Sequence, residues 1–317
     1  MAGLTLADQF LNATEPFDRE VVKRWDQQSD VLKVLPFKKI QGMTNKYRQM
    51  GTLPTIQTRR VGQAITSSAG RLEARQEDLA ILAGQFVLDD ALKDTERTGG
   101  DAISNLDIQT EMFMRAMGRE VERQIFEGDK LVSTDEVLGL RTRLTGNQSI
   151  LANATGTTLN LTLMNQLIDA VDPSLGKRTL WMNLKVARKL STLVGAIGGS
   201  YTLNYAGAQD LTQLVTVYEG IPIHIVEDKW DRSTIMDFDE DPGDGTADTA
   251  SAYCFVPDET MGFCGLINGD GPMVGLTKEG RTPPSDAPGD FYRTKLYFGT
   301  RYVAPRSAAR LRGINNA

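Results

Sequence analysis

A single histidine, His224, stands among 317 residues, so any imidazole general base or histidine metal ligand has to be that one. It lies in Ile221-Pro222-Ile223-His224-Ile225-Val226, whose alternation predicts a strand with the imidazole on the face opposite three isoleucines. Cys254 and Cys264 have neither CxxC spacing nor the basic surroundings that lower a thiol pKa, and read as buried structural thiols on two adjacent strands. Two cysteines and one histidine are too few for a disulfide scaffold or a four-ligand zinc site, and a reducing compartment fits best. Asp237, Asp239 and Asp241 alternate as the first acids of a calcium loop do. Pro242 stands where that loop needs its glycine, however, and the far acid is Asp248 instead of a glutamate. Residues 231–248 therefore read as an exposed acidic loop. Gly243-Asp244-Gly245 and Gly269-Asp270-Gly271 do not lie between a strand and a helix N-terminus as phosphate cradles do, and read as turns. No P-loop, HExxH or GxSxG occurs, and the Asp89-Asp90 pair singles out nothing in an acidic chain. No catalytic, cofactor-binding or metal-binding residue is assigned.

Composition points the same way. With 41 acidic and 35 basic residues the formal charge is −6, which argues against tight, sequence-reading DNA binding as the main task. Hydrophobic residues at 40% and charged residues at 24% are those of a folding globular chain with room for one elaborated or two ordinary domains. The first fifteen residues carry no export signal, and no run of apolar residues is long enough to span a bilayer.

The elements are unusual in their order. A loose arm, Met1 to Pro16, precedes a helix from Asp18 to Lys33 that Phe17 staples, Asp18 caps and Leu35-Pro36 ends. Thr52 to Thr66 is β-branched and polar, Ser67 to Gly70 makes a turn, and a return arm starts at Arg71, together a β-hairpin whose arms could each reach roughly 50 Å. Its polarity leaves it no core, and an isolated two-stranded ribbon is marginal in water. It must lie on a surface it does not own. Arg59, Arg60, Arg71 and Arg75 could meet phosphate, but interleaved Glu73, Glu77 and Asp78 favour contacts between subunits. Arg59, Arg60, Arg71, Glu73 and Arg75 are the residues assigned to that contact.

Asp101 to Gly128 carries a helical stripe (Ile103, Leu106, Phe113, Met117, Val121, Ile125) and reads as a strut. A helix over Leu161 to Val171, a buried strand Thr179 to Met182, and a helix Leu184 to Val194 capped by Asn183 follow. Further strands are expected at Ala252 to Val256 and Phe263 to Ile267, with a rigid connector at Pro283 to Gly289. In the last strand Tyr292, Thr294, Leu296, Phe298, Thr300 and Tyr302 share one face, and a basic, small-residue tail runs from Ala304 to Gly313.

That order resembles the major capsid proteins of tailed bacteriophages, the fold of phage Hong Kong ninety-seven shared with encapsulins. Thr179 to Leu193, Tyr218 to Val226 and Phe298 to Gly313 look like the family's strand-cap-helix, its Gly-aliphatic-Pro strand and its terminal strand. The resemblance implies an α+β fold divided into an N-arm (1–40), an extended β-hairpin loop (41–92), a peripheral domain (93–172) with spine helix 101–128, an axial domain (173–284), and a strand returning to the peripheral domain (285–317). It further implies a self-assembling icosahedral head of hexamers and pentamers enclosing double-stranded DNA without specific binding. Such a virion capsid assembles in the bacterial host cytoplasm, with scaffolding, portal and decoration proteins as separate partners. No cofactor is implied. Some family members weld subunits through an extended-loop lysine, but between Met43 and Leu92 the only lysine is Lys46, near the hairpin base, which makes such cross-linking doubtful. Two alternatives remain open on the residues: an encapsulin-like compartment, and an α/β enzyme with a carboxylate-based site.

Overall fold

The computed structural model describes residues 29–90, 105–196, 204–205, 214–215, 217–228, 231–268, 274–281 and 288–316. The arm and most of the first expected helix, the start of the strut, and most of the 283–289 connector fall outside them. In chain order the strands are β1 (Phe37–Ile40), β2 (Thr44–Thr52), β3 (Arg71–Asp78), β4 (Ala80–Asp89), β5 (Ser149–Leu151), β6 (Thr179–Met182) and β7 (Asn204–Tyr205). Then come β8 (Leu214–Val215), β9 (Val217–Tyr218), β10 (Ile221–Ile225), β11 (Thr249–Phe255), β12 (Phe263–Asn268), β13 (Val274–Arg281), β14 (Gly289–Tyr302) and β15 (Ala308–Asn315).

Two sheets carry the body. One has five strands in the order β1-β12-β14-β13, with β4 paired to the other side of β14. The other has six, β5-β15-β11-β6-β10-β9. The long helix Asn105–Glu127, 23 residues and so about 35 Å, runs against the first sheet. It comes close there because Gly84 on β4 has no side chain: a Cβ would sit 2.7 Å from the Phe113 ring, which instead stacks on Phe86 at 5.0 Å. Its far end buries Phe126 against Trp181 of β6 and Tyr253 of β11, at 6.0 and 5.4 Å between ring centroids. Trp181 stacks in turn on Phe255, and Phe255 meets Phe263 of β12, so one aromatic chain ties the helix to both sheets.

The six-stranded sheet is buried on both faces. Trp181, Tyr253 and Phe255 face the long helix. Leu180, Met182, Cys254, Ala309 and Leu311 face a second core under the helices Leu161–Ala170 and Leu184–Ala196. Asn160 and Asn183 cap those helices, each accepting at 2.8 Å from the backbone N–H three residues on. Among the described residues no helix is long and apolar enough to cross a membrane.

Several expectations change. Of the helix placed over 18–33, the described part is the short helix Asp30–Val34, which Ser29 caps with an extended backbone and a side chain that accepts from Leu32 N–H. The outgoing hairpin arm is Thr44–Thr52 instead of 52–66, paired with Arg71–Asp78 in a register from Thr44↔Asp78 to Thr52↔Arg71. The hairpin does not extend to residue 92 either, because β4 leaves it and pairs with β14 from Ala80↔Phe298 to Asp89↔Gly289. In the linear division 173–284 forms one unit, yet β12 and β13 belong to the five-stranded sheet. Ala304 to Gly313 is not a tail: β15 is buried between β5 and β11, so only β14 returns to the first sheet. Cys254 and Cys264, expected on neighbouring strands, occupy different sheets.

Candidate assembly surface

β2 and β3 form a ribbon that is anchored at its base and exposed along its length. At the base the Arg143 guanidinium grips the Glu77 carboxylate with two hydrogen bonds, 2.5 and 2.9 Å, where the two side chains are only 7% and 13% exposed. The same guanidinium donates to the Leu138 carbonyl and the Thr300 hydroxyl, both at 3.1 Å, so its buried donors are satisfied. The Tyr47 hydroxyl lies 2.8 Å from the Tyr302 carbonyl and 3.1 Å from Glu77 Oε1. Burial, and then the charge of Glu77, push that phenol up to about 12. Arg301 stacks 5.0 Å over the Tyr47 ring. On the other arm Lys130 holds Asp78 at 2.9 Å, and this bond is the main reason the carboxyl titrates below its usual range. Leu79 N–H donates to Met43 O at 2.9 Å and closes the ribbon.

Beyond the base, contacts with the body thin out. Arg75 pairs with Glu73 at 2.9 Å and donates to Gln49 at 3.2 Å. The pair is exposed and adds little to stability. After β2 the chain has no ladder: residues 53–70 are exposed throughout. The turn is at Gly62 (φ +85°), where Gln63 N–H donates to Arg60 O at 3.1 Å, and not at Ser67 to Gly70. Ser68 instead accepts from Thr55 N–H at 2.8 Å, across the loop.

The five residues assigned to an intersubunit contact thus share one ribbon, with Arg59 and Arg60 at its tip and Arg71, Glu73 and Arg75 on its returning arm. Glu77 and Asp78, grouped with them by sequence, are spent on the subunit's own base. Sequence reasoning also missed the ribbon's apolar side chains. Among the described residues, seven of the fifteen large exposed hydrophobics, from Met43 to Leu72, lie on it, so exposed apolar surface is concentrated there. Ile56, Val61 and Ile65, spaced among polar residues, are the signal that could have shown this.

The groups that might have done chemistry have other work. The His224 ring stacks 4.3 Å from Trp181, its register partner on β6. Burial raises the thiols of Cys254 and Cys264 to about 12. Asp241 accepts from the backbone of Gly243 and Gly245 and so shapes its own loop. That loop is not wholly exposed, contrary to expectation: Ile235 and Met236 enter the core, and Glu240 is buried. Glu240 takes a 2.6 Å bond from Arg310 of β15 and another from the Ser251 hydroxyl.

The family model for major capsid protein GP7 matches residues 17–162, a stretch that holds the ribbon and the long helix. No curated protein sequence matches the chain. Among solved structures it is similar to the SrpI encapsulin of Synechococcus elongatus PCC 7942, at a TM-score of 0.67 and 12% identity over 98% of this chain and 95% of that one. The capsid of a native GTA particle gives a TM-score of 0.63 at 13% identity, covering 90% of this chain and 89% of that one. The capsid of cyanophage A-1(L) gives 0.60 at 12%, covering 90% and 92%. The fold is the Hong Kong ninety-seven type of phage heads and encapsulins.

Proposed function

We propose that the chain is the major capsid subunit of a tailed phage, a structural protein that assembles into an icosahedral head around double-stranded DNA. The observation that carries the reading is the ribbon: a projecting element, rigidly clasped at its base and without a core of its own, on a body with the capsid fold. A clasped base fixes the direction in which the ribbon leaves the subunit, which a strap laid across a neighbour in a hexamer or pentamer requires. In this reading Arg59, Arg60, Arg71, Glu73 and Arg75 meet the adjacent copy. The five-stranded sheet with the long helix is the peripheral domain, and the six-stranded sheet is the core of the axial domain. Lys46, opposite Gln76 near the base of the ribbon, is remote from the tip, so subunits are held without covalent bonds. Separate scaffolding, portal and decoration proteins complete the head, which assembles in the host cytoplasm.

The likeness to an encapsulin over 98% of the chain favours a second reading, a compartment that stores a protein cargo. The match of residues 17–162 to a major capsid protein family supports the first. Negative-stain microscopy and gradient sedimentation of the purified chain test the shared premise, since a monomer at every salt and protein concentration sinks both readings. Nuclease-protected DNA in particles from the native source supports the head, and a co-purifying enzyme supports the compartment.

A further inference from the structure

We infer that the ribbon holds a second copy of this chain through the apolar side chains of its tip, while its arginines steer the approach and contribute little to the final grip. This deepens, and rests on, the reading of the ribbon as an intersubunit strap. Leu53, Ile56, Val61 and Ile65 are between 64% and 105% exposed, all within one loop. A soluble subunit does not keep such a concentration of large aliphatic groups in water unless a partner covers them. The loop is held by few bonds of its own: one backbone turn bond, one from Arg59 and one from Arg60 N–H to Gln63, and one from Thr55 N–H to Ser68 crossing it.

The charges are differently placed. Arg75 already pairs with Glu73, Arg59 donates to the Gln63 carbonyl, and Glu77 and Asp78 are consumed at the base. What remains is a long-range imbalance. Residues 44–78 carry six basic and three acidic side chains, a net +3, so the chain's −6 leaves −9 on everything else. A basic projection and an acidic body attract when they belong to different copies, which selects a second copy as the occupant. Attraction of this kind raises association rates and fades with salt, whereas burial of aliphatic surface sets the strength and does not fade.

The test uses the full chain in three forms. Replacing Ile56, Val61 and Ile65 by serine together should cut particle yield on a gradient by about an order of magnitude or more at every salt concentration, given what burial of three aliphatic side chains contributes. Thermal unfolding of the subunit should not change. Replacing Arg59 and Arg60 by glutamine should slow assembly at low salt and weaken its salt dependence, with a far smaller loss of final yield than the serine variant shows. Shortening 53–70 to a glycine turn is the control and should abolish shells. If the shortened chain fails while the serine variant assembles normally, the apolar grip is wrong and the strap stands. If the shortened chain assembles normally, both fall. A serine variant with a lower unfolding temperature would place the tip in the subunit's own core and also overturn the inference.

Discussion

Glu127 is the last residue of the long helix, where the unpaired carbonyls of the final turn disfavour a negative charge. Burial, and after it the neighbouring Asp239, push its carboxyl up to about 7, with Glu240 adding to the effect and Arg141 and Arg123 opposing it. Arg141 is already shared between Asp239 and Glu240 at 3.6 Å each, and Arg123 between Glu120 and Glu136 at 2.7 Å each. In the unfolded chain the carboxyl returns to its ordinary value near 4.5. A pKa higher in the folded state means that ionising Glu127 costs stability. The cost is absent below about pH 4.5, grows as pH rises through 7, and is complete above it. At 1.36 kcal/mol per pH unit the gap corresponds to about 3 kcal/mol, which solvent screening of a partly exposed side chain reduces to about 1–2 kcal/mol. Glu127→Gln keeps the shape and removes the charge. The variant should unfold a few degrees higher than the unaltered chain at pH 8, and at nearly the same temperature at pH 4. Differential scanning calorimetry of the subunit or capsomer at half-unit steps of pH would show the two curves converge. A variant no more stable at pH 8, or a difference that ignores pH, refutes the assignment.

Other outcomes follow from the same geometry. Arg143→Met strands the buried Glu77 carboxylate and should cost about 3–5 kcal/mol in urea titrations of the subunit, whereas an unchanged midpoint would show that the clasp does not hold the ribbon base. Boiled, denatured particles should run as one band near 34.8 kDa, because no lysine occupies the ribbon tip, and a ladder of covalent multimers would contradict that. His224→Asn removes the stack on Trp181, worth about 1 kcal/mol, and should leave shells intact on a gradient. Failure to assemble despite a folded subunit would give the histidine a role at a contact between copies.

What could be read from sequence depended on how local the cause was. The face of β14 that carries Thr294, Leu296, Phe298 and Thr300 is buried as its alternation requires, and Asn183 caps its helix, because these features are decided within a few residues. β15 was not legible. Ala308-Ala309-Arg310-Leu311 has no strand signature, and its burial comes from partners far away in sequence, Tyr253↔Arg310 on one side and Arg310↔Ser149 on the other. The same distance hid Glu240, which looked like one more acid in a solvated loop until Arg310 met it. In the ribbon, β-branched residues 52–66 read as a strand, but strand preference depends on what a strand pairs with. The anchored base sets the register for Thr44–Thr52 instead, and leaves the β-branched stretch as the unpaired tip.

The placement of β14 and β15 bears on the order of events at the ribosome. Each sits inside its sheet, β14 between β4 and the pair β12 and β13, β15 between β5 and β11. Residues 289–315 are therefore made after every strand they pair with, and neither sheet can close until they emerge. Long-range pairing of this kind folds slowly. The ribbon is translated early, before the sheets of its own body can close. If the ribbon straps a neighbouring copy, that neighbour's sheets are complete enough to receive it only once its synthesis has passed residue 315.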